Sequence, residues 1–511
     1  MADEIAQVVE MEYKGAYYLF KGTKTMIAMM AKAVKALMDH HHNKYLNKEG
    51  NCDWKKMQEI SKGTPPILEF PKEMFEEKII QTNKDGSVVK KSDFDLYCEK
   101  YGLRYCIMPD LNSNDDYIPV AVPAQDVGIH KEQIKAVMER RIITEEDKDK
   151  VKAELRGLRA YYYYQLLDQF GSVPIVTSFE QSELPAKSTR AEVFKFVEDE
   201  LTGIMDKLPS GVRYGGFTQN VANSLLARLY LNAEVYTGTP RWQDCMNAAE
   251  KVSGYVLEPD YFTSFKTENQ VSREIIFAIP YDHKEGTVGN YLASMTFHYN
   301  QKYAFSATGT YPWCGNGISA QPGLYSSFDE NDVRRKSLLI GEQINMATGS
   351  VVMMDNGNPL IYTEEISKFS NALQNEGARL YKYEVQANDQ WERNNDWVLI
   401  RYAEILMMKA EASFRMGFTG NALTFINEVR NRAGLESLTS VTEEALDNEW
   451  RHEFVFEGLR RTTNIRFGTF FKSWWEKGVD AGADKKRTGV FPIPQDVLDL
   501  NPKLEQNSDY K

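Results

Sequence analysis

The sequence lacks the local features that mark many enzymes and secreted proteins. Its five cysteines form no C-x-x-C pair and cannot all pair, which argues against a disulfide framework and a zinc cage. A bridge between Cys98 and Cys106 is the one pairing we consider, as a minor feature. No Walker loop, G-x-G-x-x-G, H-E-x-x-H or G-x-S-x-G motif occurs, which counts against common nucleotide enzymes and hydrolases. We therefore expect neither a metal nor a cofactor.

The chain also lacks an excess of basic residues and a long apolar run. Its formal net charge is −12, so a nucleic-acid partner is not expected. No apolar stretch reaches the roughly 18 residues that a membrane-spanning helix needs. Aromatic residues, in contrast, are abundant at 12%, with 28 tyrosines. Such a composition suits sugar binding, because aromatic rings offer an apolar face, but it also suits an aromatic protein core.

The clearest element is a helix that ends at Gly171. Residues 154–170 place Leu155, Leu158, Tyr162, Leu166 and Phe170 on one face, since these positions are three or four residues apart. Tyr161–Tyr164 point around the whole helix, which predicts a helix enclosed by neighbours. Gly171 is placed to end it and Pro174 prevents its return. We expect a core helix rather than a ligand-contacting face.

Two helix hairpins follow the same apolar periodicity. A separate helix is expected at residues 190–208, with a capping arrangement that includes Thr189 and Glu192 at its start. The first hairpin follows it, with helices at 219–237 and Trp242–Ser253. The second is expected at residues 395–433, with its first helix already formed at Trp397. Ala410 and Ala422 have the spacing of the small residues that let paired helices approach in tetratricopeptide repeats. Residues 5–45 are expected to form two further helices.

A loop-rich insert between the hairpins contains most of the candidate ligand residues. Five aromatic residues lie within fifteen positions, among glycine and proline, and three neighbouring amides could bind hydroxyl groups. Such a loop can form a platform for a sugar ring, or its aromatic residues can fill a small core below the loops. The aromatic candidates are Tyr299, Tyr303, Phe305, Tyr311 and Trp313; the amides are Asn300, Gln301 and Asn316.

Two weaker candidates precede the central helix. Asp115 and Asp116 lie in a polar turn that could contact sugar hydroxyls or calcium. The turn lacks the glycine and glutamate of the helix-loop-helix calcium motif, so a solvated turn is the simpler interpretation. The other weak candidate is Trp54, which has no further candidate near it in the sequence.

Ordered blocks from about residue 155 to 507 resemble the SusD/RagB-like outer-membrane glycan-binding lipoproteins. The resemblance is specific because the blocks occur in the order of that family; Trp450 and Thr463 depart from its usual basic and acidic residues. The blocks are LRAYYYYQLLDQFGSVPIV, KSTRAEVF, MDKLP, NVANSLLARLYLNAEVYTG, SREIIFAIPY, DWVLIRYAEILMMKAEASFRMG, INEVRNRAGL, EWRHEFVFEGLRRTTNIRFG and FPIPQDVLDLNPKLEQN.

The resemblance implies a mainly α fold of the SusD type, with tetratricopeptide-like hairpins and a large insert carrying short β-strands. We expect a single domain over residues 1–511. Its expected parts are N-terminal helices and variable loops at 1–150, central helical repeats at 151–258, the insert with the ligand site at 259–394, and C-terminal repeats with a closing segment at 395–511.

The resemblance also implies a function. Proteins of this family capture oligosaccharides at the cell surface and deliver them, without catalysis, to a SusC-like TonB-dependent outer-membrane transporter. Membrane attachment would use an N-terminal lipid. No lipobox cysteine is present in this sequence, so we expect the signal peptide and the lipidated cysteine to lie outside it.

Two alternatives stay open at this point. Glu453 and Glu457 are four residues apart on a predicted helix, a spacing that suits the carboxyl pair of a retaining glycosidase. An ion network with Arg451, Arg460 and Arg466 is the competing explanation, since it would keep both carboxylates ionised. The second alternative is a helical-repeat scaffold that binds only protein.

Overall fold

The structure is a computed structural model, and its described residues fall into two compact units. Unit 1 comprises residues 1–155, 176–183 and 494–500, and unit 2 comprises residues 156–175, 184–493 and 501–511. The helices expected at residues 5–45 lie outside the described part. The described residues are 50–51, 57, 65, 67–82, 88–101, 104–107, 117–122, 145–178, 183–282, 289–306, 308–309, 313–386, 389, 393–478 and 489–510.

Unit 1 contains a small mixed sheet and a hairpin. The sheet has the order β1-β5-β6-β2, formed by Gly50–Asn51, Arg104–Ile107, Tyr117–Ala121 and Ile67–Pro71, and only the β1–β5 pair is parallel. The hairpin pairs β3 (Glu77–Thr82) with β4 (Val88–Ser92), and α1 (Asp93–Tyr101) follows.

Aromatic contacts hold α1 in unit 1. Phe94 stacks on Phe75 with ring centroids 4.5 Å apart and meets Tyr105 of β5 edge-on at 5.0 Å. The bridge considered between Cys98 and Cys106 is not formed, because both residues are buried and neither takes part in a disulfide. Burial removes these cysteines from solvent and makes them packing residues.

The first half of unit 2 is helical, and it confirms the predicted capping signals. Helix α2 (Glu145–Phe170) ends at Gly171, whose φ of +73° lies in the left-handed region that glycine tolerates. Tyr161 and Tyr164 are buried, whereas Tyr162 and Tyr163 are half-buried, so the helix is only partly enclosed. Helix α3 (Arg190–Ile204) begins with the predicted capping box of Thr189 and Glu192.

The predicted helix at 219–237 is two helices. It divides into α4 (Gln219–Leu231) and α5 (Ala233–Thr237) at Asn232, before α6 (Trp242–Ala249). Asn232 donates from Nδ2 to the carbonyl of Arg228 and accepts from Arg466 at 2.8 Å. These side-chain hydrogen bonds compete with the helix ladder, which explains a break that apolar periodicity does not reveal.

The second hairpin is confirmed, but its first helix begins later than predicted. Trp397–Arg401 is strand β12, paired antiparallel with β7 (Ile275–Ile279), and α8 runs from Tyr402 to Arg415. A short apolar run such as WVLI is compatible with either a buried strand or a helix. Pairing with the strand β7 determines its conformation here. Helix α9 (Thr419–Arg432) packs on α8, with Ala410 and Ala422 both fully buried.

The insert carries short elements, as expected. They are α7 (Lys302–Phe305), β8 (Leu338–Leu339), β9 (Gly341–Glu342), β10 (Ile361–Tyr362) and β11 (Arg379–Leu380), with β8 paired to β11 and β9 to β10. Helices α10 (Glu443–Glu453), α11 (Arg460–Arg466) and α12 (Gln495–Leu500) complete the chain. Short 3-10 helices lie at Lys72–Phe75, Met205–Lys207, Tyr261–Phe265, Asn269–Val271, Leu292–Met295, Tyr299–Gln301, Val333–Ser337, Phe369–Asn371 and Ser508–Tyr510.

A buried ion network, centred on Arg401 at the end of β12, joins the insert to the C-terminal helices. Arg401 is 1% exposed and donates to Glu274 at 2.7 Å, to Glu453 at 2.6 Å and to Glu457 at 2.8 Å. Arg334 of the insert also pairs with Glu453, at 2.9 Å.

Each carboxylate of this network also has more than one cationic partner. Lys382 of the insert pairs with Glu457, and Arg432 of α9 pairs with Glu453 and Glu274. Glu453 is therefore held by Arg334, Arg401 and Arg432. Although burial acts to raise the pKa of Glu453, these arginines hold it well below the usual range of a glutamate.

We predict that this carboxylate makes the fold acid-sensitive. Because its folded-state pKa is depressed, its stabilising contribution is complete above the unfolded value of 4.5 and is lost as pH falls below it. Glu453→Gln leaves buried arginines uncompensated and should lower the unfolding free energy at pH 7 by about 3–5 kcal/mol. Denaturant unfolding between pH 7 and pH 3 should also give a shallower acid slope for the variant.

The control is Glu443→Gln, which changes an exposed carboxylate at the start of α10. It should alter stability by at most about 1 kcal/mol. Equal acid slopes for the wild type and Glu453→Gln would contradict this role of Glu453.

Candidate functional site

The candidate site is formed by residues 294–305 and the loop 313–318 of the insert. The first segment holds the 3-10 turn Tyr299–Gln301 and α7. His298 starts the turn by accepting the backbone N–H of Asn300 on Nδ1 at 3.0 Å. Burial lowers the pKa of His298, which keeps the imidazole neutral and able to accept this bond.

Backbone hydrogen bonds tie the loop to the first segment. The N–H of Gly315 donates to Ser294 at 3.0 Å, that of Asn316 to Phe297 at 2.8 Å, and that of Gly317 to Met295 at 2.7 Å. Asn316 has a left-handed φ of 48°, which turns the loop at this point. The two segments thus form one surface.

Side chains on this surface separate into buried and exposed sets. Tyr299, Tyr303 and Trp313 are 46%, 42% and 42% exposed. The predicted aromatic candidate Phe305 is instead 4% exposed and belongs to the core below, so for this residue the core interpretation is correct. That core contains Phe297, Ala304, Phe305, Cys314, Val352, Leu360, Tyr362 and Val385.

Two glycines let exposed rings lie against the backbone. A Cβ at Gly309 would come within 1.9 Å of the Tyr303 ring, and one at Gly315 within 2.5 Å of the Trp313 ring. The same Gly315 position lies 3.3 Å from the sulfur of Met295. Trp313 is therefore supported by Gly315 and leaves a large part of its surface to solvent.

The amide candidates do not behave as predicted. Asn300 is 5% exposed and donates from Nδ2 to the carbonyl of Met353 and to Asp355, each at 2.9 Å. Gln301 is also buried and donates to Gln343 at 3.0 Å. Both amides stabilise the turn, so their predicted role as exposed sugar contacts is wrong. Asn316 is half-buried, and its side-chain oxygen has no hydrogen-bond partner in the part of the chain that the structure describes.

Sequence reasoning missed a hairpin beside the aromatic residues. Asn345 donates to the carbonyl of Tyr303, and the N–H of Met346 donates to that of Ala304 at 2.9 Å. Ile344, Met346, Val351 and Met353 are exposed on this hairpin. Their alternation with buried or polar residues was the available signal for a strand pair.

The remaining predicted candidates lie outside the described residues; they are Tyr311, Asp115, Asp116 and Trp54.

Glu453 and Glu457 do not form an acid–base pair. Helix α10 ends at Glu453, so the two residues are not on one helix, and both belong to the buried network around Arg401. Burial acts to raise the pKa of Glu457, but Arg401 and Lys382 hold it below its usual value. A catalytic acid needs a raised pKa, so neither carboxyl group suits that role.

The predicted ion network exists, but its predicted partners are wrong. Arg460 pairs with Asp447, Arg466 with Glu411, and Arg451 donates to Asn448. The arginines nearest in sequence point to other carboxylates and amides, while distant residues of the insert, β12 and α9 surround Glu453. Sequence separation therefore gave no guide to these pairs.

The described part of the chain contains no cluster of three or more His, Cys, Asp or Glu residues suited to a metal ion. No helix among the described residues is both long enough and apolar enough to cross a bilayer.

Two family models match this chain. One, for the SusD family, covers residues 273–510, and the other, described as "Starch-binding associating with outer membrane", covers residues 114–231. The starch-binding protein SusD of Bacteroides thetaiotaomicron is 30% identical over 421 residues, which span 70% of this chain and 73% of that protein. The chain belongs to the SusD family.

A second SusD relative and two solved structures agree with this assignment. SusD-like protein P2 of Formosa agariphila is 25% identical over 387 residues, 70% of each chain. Surface glycan-binding protein A of Bacteroides uniformis has a TM-score of 0.57 at 23% identity, covering 76% of this chain and 84% of its own. Surface glycan-binding protein A of Bacteroides thetaiotaomicron, solved in complex with laminarihexaose, has a TM-score of 0.56 at 21% identity. The match covers 75% of this chain and 83% of that protein's chain. These likenesses confirm the predicted SusD-like fold.

We predict that Gly315→Ala displaces the Trp313 ring of this SusD-family protein while leaving the fold intact. Gly315 does not have a positive φ, so the new methyl group acts only by its contact with the ring. Near-ultraviolet circular dichroism and acrylamide quenching of tryptophan fluorescence should both change. The matched control is Gly420→Ala in α9, where a Cβ meets no atom within 4 Å and both signals should stay the same. Identical spectra for Gly315→Ala and the wild type would contradict the described packing of Trp313.

Proposed function

We propose that this protein is a cell-surface glycan-binding protein that captures oligosaccharides without cleaving them. The observation that carries the proposal is the exposure of Tyr299, Tyr303 and Trp313 above a buried core, on an insert held by the helical scaffold. A group of exposed apolar side chains on one surface is typical of an interaction site, and sugar rings present the apolar C–H faces that aromatic rings pack against.

The mechanism follows from the rigidity of the surface. Backbone hydrogen bonds join the two segments, and glycines at 309 and 315 support the rings of Tyr303 and Trp313. A ligand would meet a preformed surface and lose little free energy to ordering the protein. Hydroxyl groups of the ligand would be met by polar atoms at the rim, among them the half-buried amide of Asn316.

The relatives support the same class of ligand. One relative is a starch-binding protein, a structural neighbour is a surface glycan-binding protein, and another was solved in complex with laminarihexaose. Other candidate ligand contacts lie among Gly, Pro, Asn and Asp, a sequence composition typical of the loops that carry binding sites; they are Tyr311, Asp115, Asp116 and Trp54.

The absence of cleavage is part of the proposal. The two carboxyl groups with suitable spacing, Glu453 and Glu457, are buried and ion-paired, which supports binding without hydrolysis. Incubation with an oligosaccharide that binds should release no reducing ends. Sustained turnover would favour a glycosidase that uses other residues.

We predict that Trp313→Ala weakens oligosaccharide binding with little change in the melting temperature. Loss of one exposed aromatic contact should cost about 1–2 kcal/mol, roughly a tenfold rise in Kd. Isothermal titration calorimetry with a glycan identified on an array measures the effect. The control is Phe418→Ala, which removes another exposed aromatic residue from the start of α9 and should leave the Kd unchanged. Unaltered affinity in Trp313→Ala would remove Trp313 from the site.

We further propose outer-membrane association and a SusC-like TonB-dependent transporter as the partner. The family model that names association with the outer membrane, and the relationship to SusD, support this step. Copurification of a tagged, full-length protein from detergent-solubilised outer membranes should recover the transporter. Recovery of the protein alone, under conditions that preserve outer-membrane complexes, would count against this partner.

A further inference from the structure

The aromatic site lies in a stretch of the chain with almost no charge. Residues 286–328 contain no Asp or Glu, and this is the longest such stretch in the sequence. Acidic residues account for 73 of 511 positions, so about six would be expected in these 43 residues. With histidine neutral, the single charged side chain of the stretch is Lys302. A protein with a net charge of −12 therefore presents a local positive charge here.

Lys302 is placed among the exposed aromatic residues. It begins α7, between Tyr299 and Tyr303, and its ammonium group lies 5.4 Å from the centroid of the Tyr303 ring. Its backbone contacts Cys314, the residue after Trp313. Within the described residues, Lys302 has no ion-pair partner. Its charge can therefore act on a ligand that covers the three rings.

A second cation lies beneath the same surface. Arg393 is 2% exposed and donates from Nη2 to the hydroxyl of Ser294, while its backbone carbonyl accepts the N–H of Asn290 at 3.1 Å. Among the described residues, neither its Nε nor its Nη1 has a hydrogen-bond partner, and no carboxylate pairs with it. A buried guanidinium without a carboxylate leaves an uncompensated positive field around it.

The effect of both cations is visible at Cys314. Burial raises the pKa of this thiol to about 12, and the charges of Arg393 and Lys302 offset part of the rise. Both cations therefore act on the buried thiol of Cys314, the residue that follows Trp313.

Two described acidic groups near this charge, Asp355 and Asp389, only partly compensate it. Asp355 accepts from Asn300 at 2.9 Å, and Asp389 accepts the N–H of Gln386 at 2.7 Å. Asp389 acts on Arg393 electrostatically but does not form an ion pair with it. Both carboxylates are committed to hydrogen bonds with neighbouring residues.

We propose that the aromatic site selects acidic oligosaccharides, whose carboxylate or sulfate group pairs with Lys302 while Tyr303 and Trp313 contact the sugar rings. This inference rests on the proposed glycan-binding function and narrows its ligand class. Arg393 supplies a fixed positive field from below, and Lys302 makes the direct contact. A neutral oligosaccharide would leave the ammonium group without a counter-charge.

The test is a glycan array of matched pairs. Each pair contains an oligouronate and its carboxyl-reduced form, or a sulfated oligosaccharide and its desulfated form. The intact protein should bind the acidic member of a pair more tightly, and the two kinds of pair distinguish carboxylate from sulfate. Raising the salt concentration from 50 to 500 mM should weaken this binding, because an exposed ion pair is screened. Equal or tighter binding of the neutral members would overturn the charge proposal, whereas no binding to any glycan would overturn the proposed function itself.

Variants of Lys302 test the residue assignment. Lys302→Gln should raise the Kd for an acidic oligosaccharide about fivefold, the size of one exposed ion pair, and leave the Kd for its neutral form unchanged. Lys302→Arg keeps the charge and should retain most of the affinity. Lys195→Gln makes the same charge change on the exposed face of α3 and should have no effect. Preference for acidic glycans that survives in Lys302→Gln would overturn the role given to this lysine.

Discussion

The fold depends on how the guanidinium of Arg401 is satisfied without water. An arginine that is 1% exposed needs several acceptors, and here Glu274 provides one from just before β7 while Glu453 and Glu457 provide the others from a distant second part of the chain. The carbonyl of Glu453 accepts as well, at 2.8 Å. Removing one member of such a network leaves an uncompensated buried charge, so its members must be assembled together. The strand pair β7–β12 and the end of α10 are consequently fixed to one another.

The same network positions the insert. Arg334 and Lys382 both belong to the insert and both reach carboxylates of the C-terminal helical region. Charge-assisted hydrogen bonds are directional, so they fix the orientation of the insert as well as its distance from the helices. The loops above, which carry the exposed aromatic residues, can then be shaped by glycines and short turns without collapsing onto the scaffold.

Local sequence signals predicted much of the scaffold and little of the site. The capping box at Thr189 and the stop at Gly171 were predictable because each acts within a few residues. The strand at Trp397–Arg401 could not be predicted in this way, because its conformation depends on pairing with β7, which lies over a hundred residues earlier in the sequence. The partners of Glu453 were missed for the same reason. In the site, the aromatic residues were found by composition, but the burial of Asn300 depends on Asp355 and the Met353 carbonyl, which no local pattern indicates.

Not every buried arginine of unit 2 is matched by a carboxylate, and the arginine beneath the aromatic surface is the one that bears on the ligand. In the helical scaffold, Arg228 is matched by Glu404 and Arg466 by Glu411, each through two hydrogen bonds. Beneath the aromatic surface, Arg393 has only the Ser294 hydroxyl as a side-chain partner among the described residues. Leaving it unpaired costs stability, and such a cost is typical of surfaces whose counter-charge arrives with the ligand.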